Sequence, residues 1–349
     1  MKNVENIFGS GTLYNIDEDL EGSIFCQCCA CMSVSSDFLS WANCFNNINR
    51  IVKDPPMADN IIVLSCQVTD LAVLNDLKHL EELIDQYPDK NFFVGGCLAK
   101  RFDIPLPDNC KRLDNTRFDC QPIWDKSLIS HTPPFWVKDF KEYDNEFSNG
   151  HLFRDMYPLR IGVGCEGKCI YCTIRETRGD FYEISIDNYT LGNEFYDNKS
   201  DIVLIADNPS ADLLKNWIYY SEVFSKCISL RNVEPSTLIK IFPEIESLSK
   251  KKLLKILHSP IQSFNPDVLK DMNRPVDETS EFITKICPIL KKNGVYLATN
   301  VIVDYKDFYY CDESNDVFDY VSWNPYWDGN WNIDKAKERW NHYFPWNKI

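Results

Sequence analysis

Residues 23–31 form a β-rich run, and 60–65 (NIIVLS) and 91–96 (NFFVGG) are unbroken apolar runs of strand length. Between them, Phe38, Trp41, Phe45 and Ile48 recur at helical spacing within 37–51, and leucines with an isoleucine mark one helix face in 72–86. This alternation predicts a parallel sheet with both faces covered. A second βα series has strands at 159–164, 201–206, 227–231, 253–257, 295–304 and 318–322. Six strands suit a partial (β/α)6 barrel of TIM type better than a full eightfold one. Residues 106–155, with Pro107, Pro122, Pro133 and Pro134 and little periodicity, read as a linker. Trp323, Trp327, Trp331, Trp340 and Trp346 crowd the C-terminus, which is too apolar to float free and is expected to close the barrel or cap the site. The predicted order is an extension (1–21), a first α/β domain (22–105), the linker, a barrel (156–330) and a Trp-rich cap (331–349).

With 349 residues, 44% hydrophobic and 26% charged, the chain can bury two cores. No apolar run reaches the roughly 18 residues of a membrane span. The first 20 residues lack the basic and apolar regions of a signal peptide, so a cytoplasmic, reducing setting is the expectation. Fifteen cysteines then need a reason other than disulfides, and metal or iron-sulfur ligation leads. The net charge of −15 has the wrong sign for gripping a phosphate backbone by its overall field. A local basic groove at Lys250, Lys251, Lys252 and Lys255 is the exception to weigh against a solvated helix face.

Each predicted strand of the first domain runs into a cysteine: Cys31, Cys66 and Cys97. Strand ends of an open α/β sheet share one rim, where ligands bind, so the three could converge. Spacing alone suits three buried strand-end cysteines equally well. Cys26, Cys28, Cys29 and Cys31 form C-x-C-C-x-C, but strand alternation sets Cys26 and Cys28 on one face and Cys29 and Cys31 on the other. Cys31 is read as the ligand of that run, the rest as packing or sulfur-handling thiols. Cys44, Cys110, Cys120, Cys227, Cys287 and Cys311 have no spacing partner and are read as core thiols.

The sharpest signal is Cys165, Cys169 and Cys172, spaced C-x3-C-x2-C directly after the strand LRIGVG. Three thiolates can hold three corners of a cubane cluster and leave one iron open. Zinc would want a fourth nearby Cys or His, and none follows within 20 residues. The spacing, with the aromatic Tyr171 before the third cysteine, resembles the radical S-adenosylmethionine (SAM) enzymes.

A closer resemblance is to the radical SAM methylthiotransferases, which modify a tRNA adenosine or an aspartate of a ribosomal protein. CEGKCIYCTIRETRGD (165–180), SLRNVEP (229–235), HSPIQS (258–263), VLKDMNR (268–274), TNVIV (299–303) and FDYVSWNPY (318–326) are similar to that family's barrel motifs. Cys31, SCQV (65–68) and GCLA (96–99) are similar to its auxiliary-cluster cysteines. The resemblance implies a flavodoxin-like first domain, two [4Fe-4S] clusters on the two cysteine triads, and SAM. One electron would cleave SAM to a 5'-deoxyadenosyl radical, which opens an unactivated C–H bond that acid-base chemistry cannot. The second cluster would donate sulfur, a second SAM the methyl group, and a flavodoxin- or ferredoxin-type protein the electrons.

By family position, Asp207 and Asn208 would meet the SAM amine, with strand-end capping as the alternative. Glu234, Gln262 and Ser263 would face the SAM pocket. Arg178 and Arg274 would grip a carboxylate, with surface salt bridges as the alternative, and His258 is either a pocket donor or a hydrogen-bonded barrel histidine. Val34, Ala30 and the stretch Asp304, Tyr305, Lys306, Asp307 depart from the family pattern, as does the lack of an arginine near Trp327. With the chain ending at Ile349, the family's C-terminal β-barrel (TRAM-type) domain is expected to be missing. Together with the acidic balance this favours a peptide or protein side chain as substrate, such as a precursor peptide of a ribosomally made natural product. The same chemistry on tRNA, a second cluster that only relays electrons, and an idle iron-sulfur peptide-binding protein are the rival readings.

Overall fold

The computed structural model describes residues 1–29, 31–114, 125–131, 152–153, 156–184, 201–306 and 316–347. Ala30, Asp307, Cys120, Cys311 and much of 106–155 lie outside them. The chain forms two compact units, Met1–Leu152 with Gly329–Ile349, and Phe153–Asp328.

The first unit is built on β1 (Lys2–Asn6), β2 (Gly9–Asn15), β3 (Ile24–Cys28), β4 (Asn60–Ser65), β5 (Asn91–Gly96), β6 (Cys110–Asp114) and β7 (Ser130–His131), in the order β1-β2-β6-β5-β4-β3-β7. Neighbours from β2 to β7 run parallel, and β1 joins β2 as an antiparallel edge. The strands β4 and β5 fall where the apolar runs predicted them, because strands covered on both faces need no polar alternation. Residues 1–21, expected outside the sheet, supply β1 and β2, and the expected linker supplies β6 and β7. Edge strands such as β1 bury little and so carry little apolar signal.

Helix α1 (Met32–Asn43) buries Phe38 and Trp41 completely, and α2 (Asp70–Gln86) starts at Thr69, whose side chain accepts the Ala72 N–H at 3.1 Å. The end of the Trp-rich tail, expected to close the barrel or cap the site, belongs to the first unit. Its helix Ile333–Tyr343 lays Ala336 and Trp340, followed by Phe344, on Leu71 and Leu74 of α2, and Arg339 pairs with Asp70 at 3.2 Å. The apolar side chains of the tail decide this, each contributing roughly 1.5–3 kcal/mol when fully buried.

Arg101 ties this unit together. Its fully buried guanidinium forks onto Asp103 (2.8 and 2.6 Å), donates to Gln67 Oε1 (3.0 Å) and the Gly329 carbonyl (2.6 Å), and lies 4.1 Å from the Phe8 ring centre. One side chain thus joins the residue after Cys66, the N-terminal strands and the start of the tail.

The second unit is a six-stranded parallel sheet of β8 (Tyr157–Arg160), β11 (Ile202–Ile205), β12 (Ile228–Leu230), β13 (Leu254–His258), β14 (Tyr296–Val303) and β15 (Tyr320–Pro325), adjacent in chain order as a βα barrel series requires. A small antiparallel pair, β9 (Gly162–Val163) with β10 (Tyr182–Glu183), closes the base of the loop that holds Cys165, Cys169 and Cys172. All six sheet strands overlap the predicted runs.

Replacing Arg101 by Ala leaves Asp103, Gln67 and the Gly329 carbonyl without this donor. We expect a loss of about 3–5 kcal/mol in denaturant unfolding of the chain.

Candidate functional site

In the first unit the carboxyl ends of β3, β4 and β5 lie side by side, with Cys28 opposite Leu64 and Ser65 opposite Gly96. Cys31, Cys66 and Cys97 each follow one of these ends within three residues, so register brings them to one rim. Burial first, then the neighbouring Cys31 and Cys97 thiols, pushes the Cys66 thiol well up. Three contacts brace the rim: Ser65 Oγ donates to the Gly95 carbonyl (2.8 Å), the Cys66 N–H donates to Asp76 Oδ2 (2.7 Å), and Arg101 holds Gln67. Gly96 has φ +77°, and a Cβ there would stand 2.5 Å from the Ser65 carbonyl and 2.8 Å from Val34 Cγ1, so only glycine lets Cys97 follow this close to its neighbour strand.

Cys26 and Cys28 are buried in the core with Val34 and Phe38, on one face as alternation requires. Cys29 is half-buried and Cys31 exposed. Cys287 is a core thiol as expected, whereas Cys110 and Cys227 are half-buried and Cys44 is disulfide-bonded.

In the second unit the loop after β9 carries the other triad. Gly164 has φ +83°, and a Cβ would fall 2.3 Å from the Asp180 carbonyl. The Cys165 N–H donates to the Gly179 carbonyl (3.2 Å), the Gly167 N–H to Cys165 Sγ (3.2 Å), and the Cys172 N–H to the Cys169 carbonyl (3.1 Å). Asp207 Oδ2 accepts both the Gly164 N–H (2.9 Å) and Arg178 Nε (2.7 Å), with both side chains buried. Asp207 and Arg178, both expected near SAM, are hydrogen-bonded to each other here, and the bonds of Asp207 to Gly164 and Arg178 span 43 and 29 positions. Asn208 gives a hydrogen bond to Cys165, whose pKa burial nevertheless raises. Burial also pushes Cys172 up to about 12.

Arg274 and Glu234 likewise pair, Nη1 to Oε1 at 2.9 Å, and the same guanidinium reaches Cys169 Sγ at 3.7 Å. Tyr171 packs against Val268, Met272 and Tyr305. Asn273 Nδ2 caps the Lys168 carbonyl (2.9 Å), so the motif VLKDMNR is the wall of the cysteine loop. Gln262, at φ +71°, bridges by its backbone to β14, its N–H on the Asn300 carbonyl (2.9 Å) and its carbonyl on the Ile302 N–H (2.8 Å). Ser263 Oγ accepts the Asn265 N–H at 3.0 Å.

His258 is the hydrogen-bonded histidine rather than a free donor. Its Nδ1 accepts the Asn232 N–H (3.3 Å) and Nε2 faces Asn300 Oδ1 (3.2 Å), which assigns the proton to Nε2. Burial, with Arg231 nearby, pushes its pKa down to about 4. The basic run is dismantled: Lys250 pairs with Glu246 (2.6 Å), Lys251 with Glu222 (2.9 Å) and Lys255 with Asp201 (2.5 Å), while Lys252 donates to the Asn293 carbonyl (2.5 Å).

Asp76 escaped the sequence reading. It lies on the apolar stripe of α2 with Leu80 and Leu83, and an acid on such a stripe was the available signal.

Among the described residues no three His, Cys, Asp or Glu side chains gather round a single-ion position, so the fit of a larger cluster is judged from donor set and cradle. The donors are soft thiols, Arg274 Nε is buried with no partner beside Cys169, and a Cβ on Gly167 would crowd Cys165 Sγ at 3.0 Å. These features fit a cubane at the Cys165 loop. The crowding of three thiols on the first rim fits a second.

Two α/β units, each presenting three cysteines beyond the strands of a parallel sheet, define the class of protein. Its homologues over about 70% of its length are methylthiotransferases. The chain is 27% identical over 285 residues to a ribosomal protein uS12 methylthiotransferase of Clostridium novyi, covering 74% of this chain and 63% of that one. It is 24% identical over 274 residues to the protein of the same name from Francisella tularensis subsp. novicida (69% and 59%). A tRNA-2-methylthio-N(6)-dimethylallyladenosine synthase of Campylobacter hominis is 28% identical over 281 residues (73% and 63%). The chain thus spans about three fifths of the length of these curated relatives. No family model matches it. Among solved structures, the radical SAM methyltransferase TsrM of Kitasatospora setae aligns with a TM-score of 0.44 at 8% identity, over 81% of this chain and 68% of that one.

Two outcomes test this geometry. Asp207→Ala removes the shared acceptor of Gly164 and Arg178, so iron bound at the Cys165 loop should fall by at least half in a reconstituted chain while the first-unit iron is kept. His258 is neutral when folded and titrates near 6.5 when unfolded, so its contribution is whole above that value and is lost as pH falls toward about 4. The His258→Gln chain should lose on the order of 3 kcal/mol less over this window in pH-dependent unfolding.

Proposed function

We propose that this chain is a radical SAM methylthiotransferase that holds one [4Fe-4S] cluster on Cys165, Cys169 and Cys172, a second on Cys31, Cys66 and Cys97, and SAM. The observation that carries the reading is the second rim: three thiols on adjacent strand ends, in a chain whose other unit already carries the C-x3-C-x2-C loop. When bound, these groups supply the one-electron chemistry, the sulfur and the methyl group needed at a C–H bond of no acidity.

The chain's own residues hold and shield. Asp207 and Arg178 fix the cysteine loop, and Tyr171 with Val268, Met272 and Tyr305 keeps water from one side of it. Asn208, Glu234, Gln262 and Ser263 remain the SAM contacts of the proposal, and Arg274 serves through Glu234.

The substrate we infer is a peptide or protein side chain, a natural-product precursor peptide included. The relatives named for a ribosomal protein, the acidic balance and the paired lysines of 250–255 support it. The tRNA reading keeps one observation in its favour, the Campylobacter hominis relative. A flavodoxin- or ferredoxin-type electron donor and a cytoplasmic site of action belong to the same proposal.

Anaerobically reconstituted chain should bind about eight irons and release 5'-deoxyadenosine from SAM with dithionite. Full iron without that product overturns the enzyme reading. Cys66→Ala should keep the cleavage and lose methylthiolation, whereas an electron-relay cluster would lose both. Mass spectrometry of peptides against nucleosides from cells with and without the gene separates the two substrates.

A further inference from the structure

The two triads have unlike neighbours. Against Cys169 stands the Arg274 guanidinium, only 6% exposed, shared with Glu234 and with its Nε unpartnered. Cys165 Sγ takes the Gly167 N–H and a hydrogen bond from Asn208. Carboxyl groups lie near both triads, Glu234 by Cys165, Glu176 by Cys172 and Asp76 by Cys66, but only the Cys165 triad has a guanidinium beside a ligand sulfur among the contacts described. Asp76, 2% exposed, accepts the Cys66 N–H at 2.7 Å and Asn75 Nδ2 at 3.2 Å. Ionised or neutral, that carboxyl keeps the Cys66 N–H turned away from sulfur, although the Val68 N–H still reaches it.

A cation and N–H donors aimed at ligand sulfurs stabilise the more negative, reduced state of a cluster, and withholding a donor does the reverse. We propose that the chain poises its two clusters unequally, the one on Cys165, Cys169 and Cys172 at the higher reduction potential, with Arg274 and Asp76 as the positioning residues that set the gap. A single electron delivered to the chain then rests on the cluster that the proposed function assigns to SAM. The inference rests on that reading in one respect, that both triads hold clusters.

Each cluster is isolated in the full chain by changing the other triad to Ala, and its midpoint is read by redox titration with electron paramagnetic resonance. The Cys165 cluster should titrate above the other. Arg274→Gln should lower its midpoint with iron content unchanged, and Arg274→Lys should restore most of the shift. Asp76→Ala frees the Cys66 N–H and should raise the second midpoint, while Asp76→Asn, which keeps an acceptor oxygen, should raise it less. The inference is overturned if the order is equal or reversed, or if Arg274→Gln retains its iron and leaves the midpoint unmoved. A parent chain that binds iron on only one triad overturns the functional reading, and this inference with it.

Discussion

The guanidinium of Arg101 is the constraint around which the first unit is arranged. A buried cation is tolerated only where every donor finds an acceptor, and this one finds Asp103, Gln67 and the Gly329 carbonyl while lying on Phe8. Those partners come from segments separated by hundreds of residues. Gln67 follows Cys66 directly, so the position of a candidate ligand is set by the same charge that fastens the tail.

The second unit solves the same problem with the opposite sign at its centre. Asp207, at the end of β11, is the buried anion, and Gly164 and Arg178 are its donors. In both units a buried ionic group holds the residue next to a cysteine, by the Gln67 side chain in the first and the Gly164 N–H in the second. The contacts of Arg274 and Asp76 add the difference in character between the rims.

Most strands were legible because a strand buried on both faces announces itself as an apolar run, as in Ile61–Leu64 of β4. The cysteine positions were legible too, since each follows such a run. What the residues could not reveal depends on distant partners. Asp207 and Arg178 look alike as pocket residues or as a pair until β11 and the loop are brought together. The tail's tryptophans promised burial without saying where, and the exposed faces of β1 and β2 gave residues 1–21 the polar look of an extension. Val34 breaks the family pattern, yet it is a fully buried side chain touching the space above Gly96, so its apolar character serves the packing of the rim.

The packing of the tail helix on α2 has a consequence for the order of biosynthesis. Leu71, Leu74 and Asp70 wait for Trp340, Phe344 and Arg339, and Arg101 waits for the Gly329 carbonyl, all of which leave the ribosome after the whole second unit. Domains made N-terminal first usually fold first. Here the earlier-made unit is the later to be completed, since its contacts with Trp340, Phe344 and Arg339 can form only after synthesis has passed residue 344.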